Sequence, residues 1–216
     1  MKKFKAVFFD LDGTLLNTIG DLANSMNRVL AKYGKSPYTR DEYKLMVGMG
    51  VRNLVEMAVT GRGLSPVQEH IDLFVEDYHE NSIVDTAPYP GVMTLLEKLS
   101  ERSITTGVIT NKAEELAWKI SKAFFGGDQF HFFRGGRDGF PLKPDPEGVL
   151  FEAERLGLTA DEVVFVGDSN VDMKTAQNAG MFPCGVSWGF RSVDELKEAG
   201  AEQILNEPLD LLELME

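Results

Sequence analysis

The residues able to do chemistry in this 216-residue chain fall in four short segments, each placed where an apolar run breaks off. In the first, Ala6-Val7-Phe8-Phe9 gives way to Asp10-Leu11-Asp12-Gly13-Thr14, which sets two carboxylates two residues apart at a glycine turn. A short run rich in Val and Phe that ends in Asp and Gly reads as a buried strand with acids at its carboxyl end. Crowded acids cost stability there unless a cation or a basic group neutralises them, and such strain collects where chemistry needs it. The second segment, Val108-Ile109-Thr110-Asn111-Lys112, is an apolar run ending in small polar residues. The third, Pro141-Leu142-Lys143-Pro144-Asp145-Pro146, holds a lysine in a loop stiffened by proline, which fixes its own φ and restricts the residue before it. The fourth runs from Val163 through Gly167-Asp168-Ser169-Asn170-Val171-Asp172, again a buried strand ending in a glycine turn and acids. Taken singly, each also fits a plain structural role: an Asx turn, a Thr-Asn helix cap, a solvated loop lysine, a strand-end turn.

The elements that must position these residues change in rhythm along the chain. Between the first segment and Pro88-Tyr89-Pro90-Gly91 the pattern is helical throughout. Leu22, Met26, Val29, Leu30 and Tyr33 follow the 3.6-residue period up to Gly34, and Leu54, Val55 and Ala58 mark a further helix. Val67, Ile71, Phe74, Val75 and Tyr78 mark another, with Ser65 as its cap and Pro66 at its first position. After Pro90 helices and strands alternate: a helix over Val92 to Leu99, a strand over 104–109, a helix through Leu116 and Ile120, and a short strand over Phe130 to Phe133. A helix faced by Leu150, Ala153 and Leu156, a strand over 163–167, a helix over Met173 to Ala179 and a last strand near Phe182 to Ser187 follow. That alternation predicts an α/β fold with a mainly parallel sheet covered on both faces, in which ligands gather at the carboxyl ends of the strands. All four segments then converge on one edge of the sheet.

In this order, Asp-Leu-Asp-Gly-Thr, Thr-Asn, Lys-Pro-Asp-Pro and Gly-Asp-Ser-x-x-Asp resemble the four motifs of the haloacid dehalogenase superfamily of phosphotransferases, over essentially the whole chain. Leu15-Leu16-Asn17-Thr18, Asp21-Leu22, Val47-Gly48-Met49-Gly50-Val51 and Trp188-Gly189-Phe190-Arg191-Ser192 are similar to the phosphoglycolate phosphatase branch. The resemblance implies a Rossmann-like core over 1–16 and 86–216 and an inserted α-helical cap over 17–85. It also implies a Mg²⁺ ion held by Asp10, the Asp12 carbonyl and Asp168, with Asp10 as nucleophile and Asp12 as acid and base. Thr110, Asn111 and Lys143 would hold the phosphoryl group, and Asp172 would orient Lys143 or the metal's waters. Thr14 and Ser169 are expected to hydrogen-bond the acids or to serve their turns. Gly48 and Gly50 bracket a turn between cap helices, and Arg52 behind them is expected to meet a substrate carboxylate; Arg191 has a weaker claim to the same task. The implied reaction is hydrolysis of a small phosphate monoester, 2-phosphoglycolate first among them. A phosphomutase with the same core, or a pyrophosphatase or nucleotidase of the branch, remains open. A phosphonatase is disfavoured by the presence of Asp12, and a non-catalytic relative by the survival of Asp10, Asp12, Lys143 and Asp168.

Composition narrows the partners. Hydrophobic content of 43% and charged content of 26% suit a globular protein. The net charge of −12 disfavours nucleic acid and anionic membranes, which are bound by neutralising phosphates with Lys and Arg. An anionic substrate must therefore be drawn in by local charge and metal. One cysteine, Cys184, fits a reducing compartment, and the three histidines lack the spacing of a zinc site. No apolar run approaches the roughly 18 residues of a membrane helix. The stretch after Met1-Lys2-Lys3 is too short for a signal peptide, so the cytoplasm is expected, with the chain a monomer or homodimer.

Overall fold

The computed structural model describes residues 4–137 and 139–215. Strand β1 (Ala6–Phe9) lies at the centre of a six-stranded parallel sheet. Its companions are β4 (Thr105–Ala113), β5 (Phe132–Gly136), β6 (Val163–Gly167), β7 (Phe182–Val186) and β8 (Gln203–Leu205). The strand order is β5-β4-β1-β6-β7-β8. Chain order runs leftward from β1 to β4 and β5, then crosses to β6 and continues rightward, so the switch point falls beside β1, where α/β sheets bind ligands. Phe9 is in register with Val108 of β4 and Val166 of β6, so the three strands deliver their following residues to one place.

The period-2 alternation of β1 explains the layers. Val7 and Phe9 face a core shared with α5 (Val92–Glu101), α6 (Glu114–Phe125) and the closing 3-10 turns at Pro208–Met215. Ala6 and Phe8 face a second core with α7 (Glu147–Arg155) and α8 (Asn170–Ala179). Because both faces are covered, the strands need no polar alternation, and this is why they read as unbroken apolar runs. A short helix, α9 (Val193–Glu198), packs near β7. No described helix is long and apolar enough to cross a membrane.

Between β2 (Leu16–Asn17) and β3 (Ala87–Pro88) lies an insert of four helices, α1 (Ile19–Lys32), α2 (Arg40–Lys44), α3 (Val51–Thr60) and α4 (Gln68–Asn81). The two strands pair antiparallel at its base, Leu16 with Pro88 and Asn17 with Ala87. Met26, Leu30, Tyr43, Val55, Ala58, Phe74 and Tyr78 are almost fully buried and give the insert an apolar centre continuous with the main core. Asp21, also buried, ties α1 to the returning chain: its carboxylate accepts from the backbone N–H groups of Val84, Asp85 and Thr86 and from the Thr86 hydroxyl, at 2.7–3.0 Å.

Several boundaries differ from the sequence expectation. Helix α4 starts at Gln68 rather than Pro66, because Val67 is still extended and its N–H is taken by His70 Nδ1 at 3.2 Å. The third strand is shifted to Phe132–Gly136, since Phe130 packs edge-on against Phe125 instead of joining the sheet. Leu150 is exposed, and α7 buries Val149, Glu152 and Ala153. β4 runs past residue 109 to Ala113 through an irregularity in its pairing. β2, β3, β8, α2 and α9 have two to six residues each, too short for periodicity to announce them.

Asp21→Ala should strand three backbone donors and destabilise the fold by about 2–4 kcal/mol. Asp21→Asn, which keeps one acceptor oxygen, should cost less. Urea unfolding of the two variants beside wild type measures both.

Candidate active site

The site is built at the carboxyl ends of β1, β4 and β6. Asp10 follows β1 directly, and its N–H still bonds Val166 O at 2.9 Å, which holds it in line with the sheet. The chain then turns over the Leu11 carbonyl, which accepts from Thr14, Leu15 and Leu16 N–H. Gly13 makes that turn with φ of +84°, and a Cβ there would clash with the Asp168 carboxylate. Glycine is therefore demanded twice, by the backbone and by the acid beside it.

Asp168 leaves β6 with its Oδ2 accepting from Phe190 N at 2.7 Å. Ser169 caps α8, and its N–H and hydroxyl both donate to Asp172 Oδ2, at 3.0 and 2.7 Å. The other Asp172 oxygen takes Lys143 Nζ at 2.6 Å. Lys143 Nζ also lies 2.8 Å from Asp10 Oδ1, off the axis of a hydrogen bond, so this buried oxygen accepts none. Asp172 is thus fully committed to Ser169 and Lys143, which matches its expected orienting place.

Oxygens of Asp10, Asp168 and Asp172 lie within 4.8 Å of one another in a buried cluster that could hold a metal ion. Burial raises the Asp10 carboxyl from 3.8 to about 6, Lys143 opposes that rise and Asp172 reinforces it. Burial, then Asp172 and Asp10, push Asp168 well above the usual carboxylate range. Burial alone would pull Lys143 down, but Asp10 and Asp172 outweigh it and move the ammonium upward. With both Asp172 oxygens occupied, Asp10 and Asp168 are the cluster members left with an oxygen for a hard divalent cation.

On β4, Thr110 lines the pocket, and its Oγ1 accepts from Lys112 N at 3.3 Å. Asn111 is placed differently from expectation. Its Nδ2 donates to Gly48 O at 2.9 Å and to Lys143 O at 3.0 Å, while its Oδ1 accepts from Lys143 N at 2.8 Å. The side-chain amide is spent on holding the Lys143 loop and the insert, so only its backbone is available to an anion. Thr14 bonds no acid: its hydroxyl is buried without a partner, its N–H donates to Leu11 O within the turn, and its carbonyl accepts from Trp188 Nε1 at 3.0 Å.

The insert closes the pocket from above. Gly48 and Gly50, at φ of +123° and +85°, form the expected turn between α2 and α3, and both line the pocket. Arg52 does not. Its side chain is 67% exposed and turns away to Gln68 Oε1 at 3.2 Å and Glu56. Arg191, by contrast, lines the pocket and donates to the carbonyls of Lys44, Leu45 and Val47, which pins the insert to the loop after β7. The remaining walls are Leu22, Val47, Val51, Leu54 and Phe74, and the cavity measures about 40 Å³.

Two polar residues of the pocket are absent from the sequence expectation. Lys112 is buried on the extension of β4, with Nζ 3.0 and 2.9 Å from the two Asp12 oxygens and 2.9 Å from the Tyr78 hydroxyl. Burial alone would lower the ammonium, but Asp12 and Tyr78 outweigh it and raise it. Burial raises the Tyr78 phenol to about 12, with Lys112 pulling against the rise. The one available signal was a lysine directly following the Thr-Asn pair.

Comparison with known proteins agrees with this geometry. The profile of the family described as Haloacid dehalogenase-like hydrolase matches residues 7–186. A protein named phosphoglycolate phosphatase in Aquifex aeolicus is 31% identical, over 98% of this chain and 97% of its own. One of the same name in Chromobacterium violaceum is 34% identical, over 100% of this chain and 98% of its own. A crystal structure described as a predicted phosphoglycolate phosphatase from Haemophilus somnus superposes with a TM-score of 0.92 at 27% identity, covering all of both chains.

A cation held at Asp10 and Asp168 should be visible in thermal stability. Because the folded pKa of Asp10 lies above 3.8 at about 6, its contribution to metal-free stability is full below about 4 and is lost as pH rises through 6. The cation replaces the lost proton, so Mg²⁺ should raise Tm at neutral pH, by an amount worth about 2.7 kcal/mol at a hundredfold excess over Kd. That gain should shrink as pH falls toward about 5 and vanish in Asp168→Asn; differential scanning fluorimetry with Mg²⁺ against EDTA reads all three.

Proposed function

The chain belongs to the haloacid dehalogenase-like hydrolase family, and on that footing we propose that it is a Mg²⁺-dependent phosphatase of a small phosphate monoester, 2-phosphoglycolate foremost. The observation that carries this reading is the Asp10 carboxylate: buried at a strand end on the pocket wall, with Lys143 Nζ 2.8 Å from one of its oxygens. A buried carboxylate beside a fixed cation at a pocket wall suits attack on phosphorus. Residues 1–16 and 86–216 would act as the catalytic core and 17–85 as the cap.

Mg²⁺, held by Asp10, Asp168 and the Asp12 carbonyl, would supply positive charge against the phosphoryl oxygens. The chain's own residues do the rest. Lys143 balances Asp10 and, with Thr110 and the backbone at Asn111, steadies the phosphoryl group for in-line attack. The Asp10 oxygen forms its bond to phosphorus as the ester P–O bond breaks, and Asp12 gives its proton to the departing oxygen. Water then attacks the aspartyl-phosphate, losing a proton to Asp12, and phosphate leaves with Asp10 restored. General acid–base help of this kind is worth about 10²–10⁴ in rate. Asp172 and Ser169 hold Lys143 in place without touching substrate.

The insert covers the pocket with Leu22, Val47, Val51, Leu54 and Phe74, a roof that suits a small ester. The names of the Aquifex aeolicus and Chromobacterium violaceum relatives point to the same small ester. Since Arg52 lies outside the pocket, a carboxylate would meet Arg191 or the backbone at Gly48 and Gly50.

Phosphate release from 2-phosphoglycolate, glycerol 3-phosphate, glucose 6-phosphate, a nucleoside monophosphate and pyrophosphate, with Mg²⁺ or EDTA, tests the reading. We expect kcat/KM highest for 2-phosphoglycolate, dependence on Mg²⁺, and a loss beyond about 10³-fold in Asp10→Asn. A preference for glucose 6-phosphate or the nucleotide would overturn the substrate, and an active Asp10→Asn would overturn the mechanism.

A further inference from the structure

The buried ammonium of Lys112 joins the pocket floor to the insert. A lysine ammonium has three protons to donate, and the three oxygens around Nζ match them: Asp12 Oδ1 at 3.0 Å, Asp12 Oδ2 at 2.9 Å and Tyr78 Oη at 2.9 Å. Its side chain is 3% exposed, so no bulk water can replace a lost partner. The first two oxygens belong to the core. The third belongs to α4 of the insert, where Tyr78 is fixed by stacking on Phe74 at 5.5 Å between ring centroids. Lys112 Nζ also stands 4.7 Å from the Tyr78 ring centre. The ammonium is therefore fully satisfied only with the insert seated, and an unpaired donor on a buried charge is costly.

We propose that Tyr78 and Lys112 form a brace that fixes the Asp12 carboxylate for proton transfer when the insert is seated. The inference rests on the phosphatase reading above and adds two positioning residues to it. Lys112 grips both Asp12 oxygens, which removes the rotation of the carboxylate about its last bond. Tyr78 in turn sets Lys112, so the acid is aligned only beneath a closed roof. Neither residue bonds to the substrate in this scheme. Each acts through Asp12, and both line the pocket together with Leu22, Leu54 and Phe74.

The brace makes a demand that mere structural support would not. It should matter in proportion to how badly the leaving group needs a proton. An alkyl phosphate releases an alkoxide and needs Asp12 in the first step. Acetyl phosphate, of similar size, releases acetate and does not. Since kcat/KM reports events only through formation of the aspartyl-phosphate, the later hydrolysis drops out of the comparison.

The experiment compares wild type, Lys112→Met and Tyr78→Phe on acetyl phosphate and on the alkyl phosphate hydrolysed fastest in the panel above. For the alkyl ester we expect kcat/KM to fall about 10²-fold in Lys112→Met and about 10-fold in Tyr78→Phe, carried by kcat with KM little changed. For acetyl phosphate both losses should stay within about threefold. Equal losses on the two esters, or a loss confined to KM, would overturn the brace while leaving the phosphatase reading intact. Tyr78→Phe keeps the stacked ring and removes a single oxygen, so it remains informative if Lys112→Met folds poorly. A wild type inert toward every ester would sink the phosphatase reading, and the brace with it.

Discussion

Four carboxylates crowded at one end of a parallel sheet are the constraint on which the rest of this molecule depends. Asp10, Asp12, Asp168 and Asp172 are gathered there against only two buried lysines, Lys143 and Lys112. Ionised acids so placed repel one another in a medium that screens poorly. Much of the surrounding structure can be read as the answer. Asn111 gives up its whole side chain to hold the backbone of Lys143, so that the lysine reaches Asp10 and Asp172 together. Ser169 caps α8 and takes up one oxygen of Asp172, at the helix end where negative charge is favoured. Strand β4 runs on beyond its regular pairing, which buries Lys112 against Asp12. Two lysines against four acids leave two negative charges, which is the charge a divalent cation neutralises.

The helical insert completes the environment without adding charge to the reacting side. Its contributions to the pocket wall are Leu22, Val47, Gly48, Gly50, Val51, Leu54, Phe74 and Tyr78, none of them charged, while the charged groups come from the core. An apolar roof over a charged floor excludes water and strengthens each interaction beneath it. Its attachment is divided between a fixed base and a polar seam. At the base, β2 pairs with β3 and Asp21 gathers three backbone donors of the returning chain. At the seam, Asn111 reaches the Gly48 carbonyl, Arg191 reaches three carbonyls between Lys44 and Val47, and Lys112 reaches Tyr78. These seam bonds are few and mostly to backbone oxygens, a pattern that fixes position while leaving the wall side chains free to suit a ligand.

What could be read from the amino acids follows the same physics. The central strands were legible because burial on both faces makes them continuous apolar runs, and the acids at their ends break those runs abruptly. The long insert helices were legible through their 3.6-residue period. Side-chain direction at the ends of elements was not. Arg52 follows the positive-φ turn at Gly50 and looked aimed at the pocket, yet the first turn of α3 carries it to solvent. Lys112 had no role assigned from its place after Thr110-Asn111, and it is buried because β4 continues through those residues to Ala113. Asn111 had the right chemistry for an anion but was claimed by the Lys143 loop. In each case the deciding factor was a neighbour distant in sequence, which spacing along the chain does not encode.

The overall charge of −12 sharpens the consequence. A phosphorylated anion approaching this protein meets a repulsive field, but salt at physiological strength screens exposed charges beyond about 8 Å. Inside the pocket no such screening operates, and there the nearest cations are Lys143, Lys112 and Arg191. Arg191 is occupied by insert carbonyls, Lys143 by two carboxylates and Lys112 by Asp12 and Tyr78. Every cation in the site is therefore already committed before substrate arrives. In the proposed reaction an incoming anion would be matched by a cation held at Asp10 and Asp168, by Lys143 and by backbone N–H groups at the strand ends. Selectivity in such a site comes less from the number of positive charges than from the shape and chemistry of the insert above them.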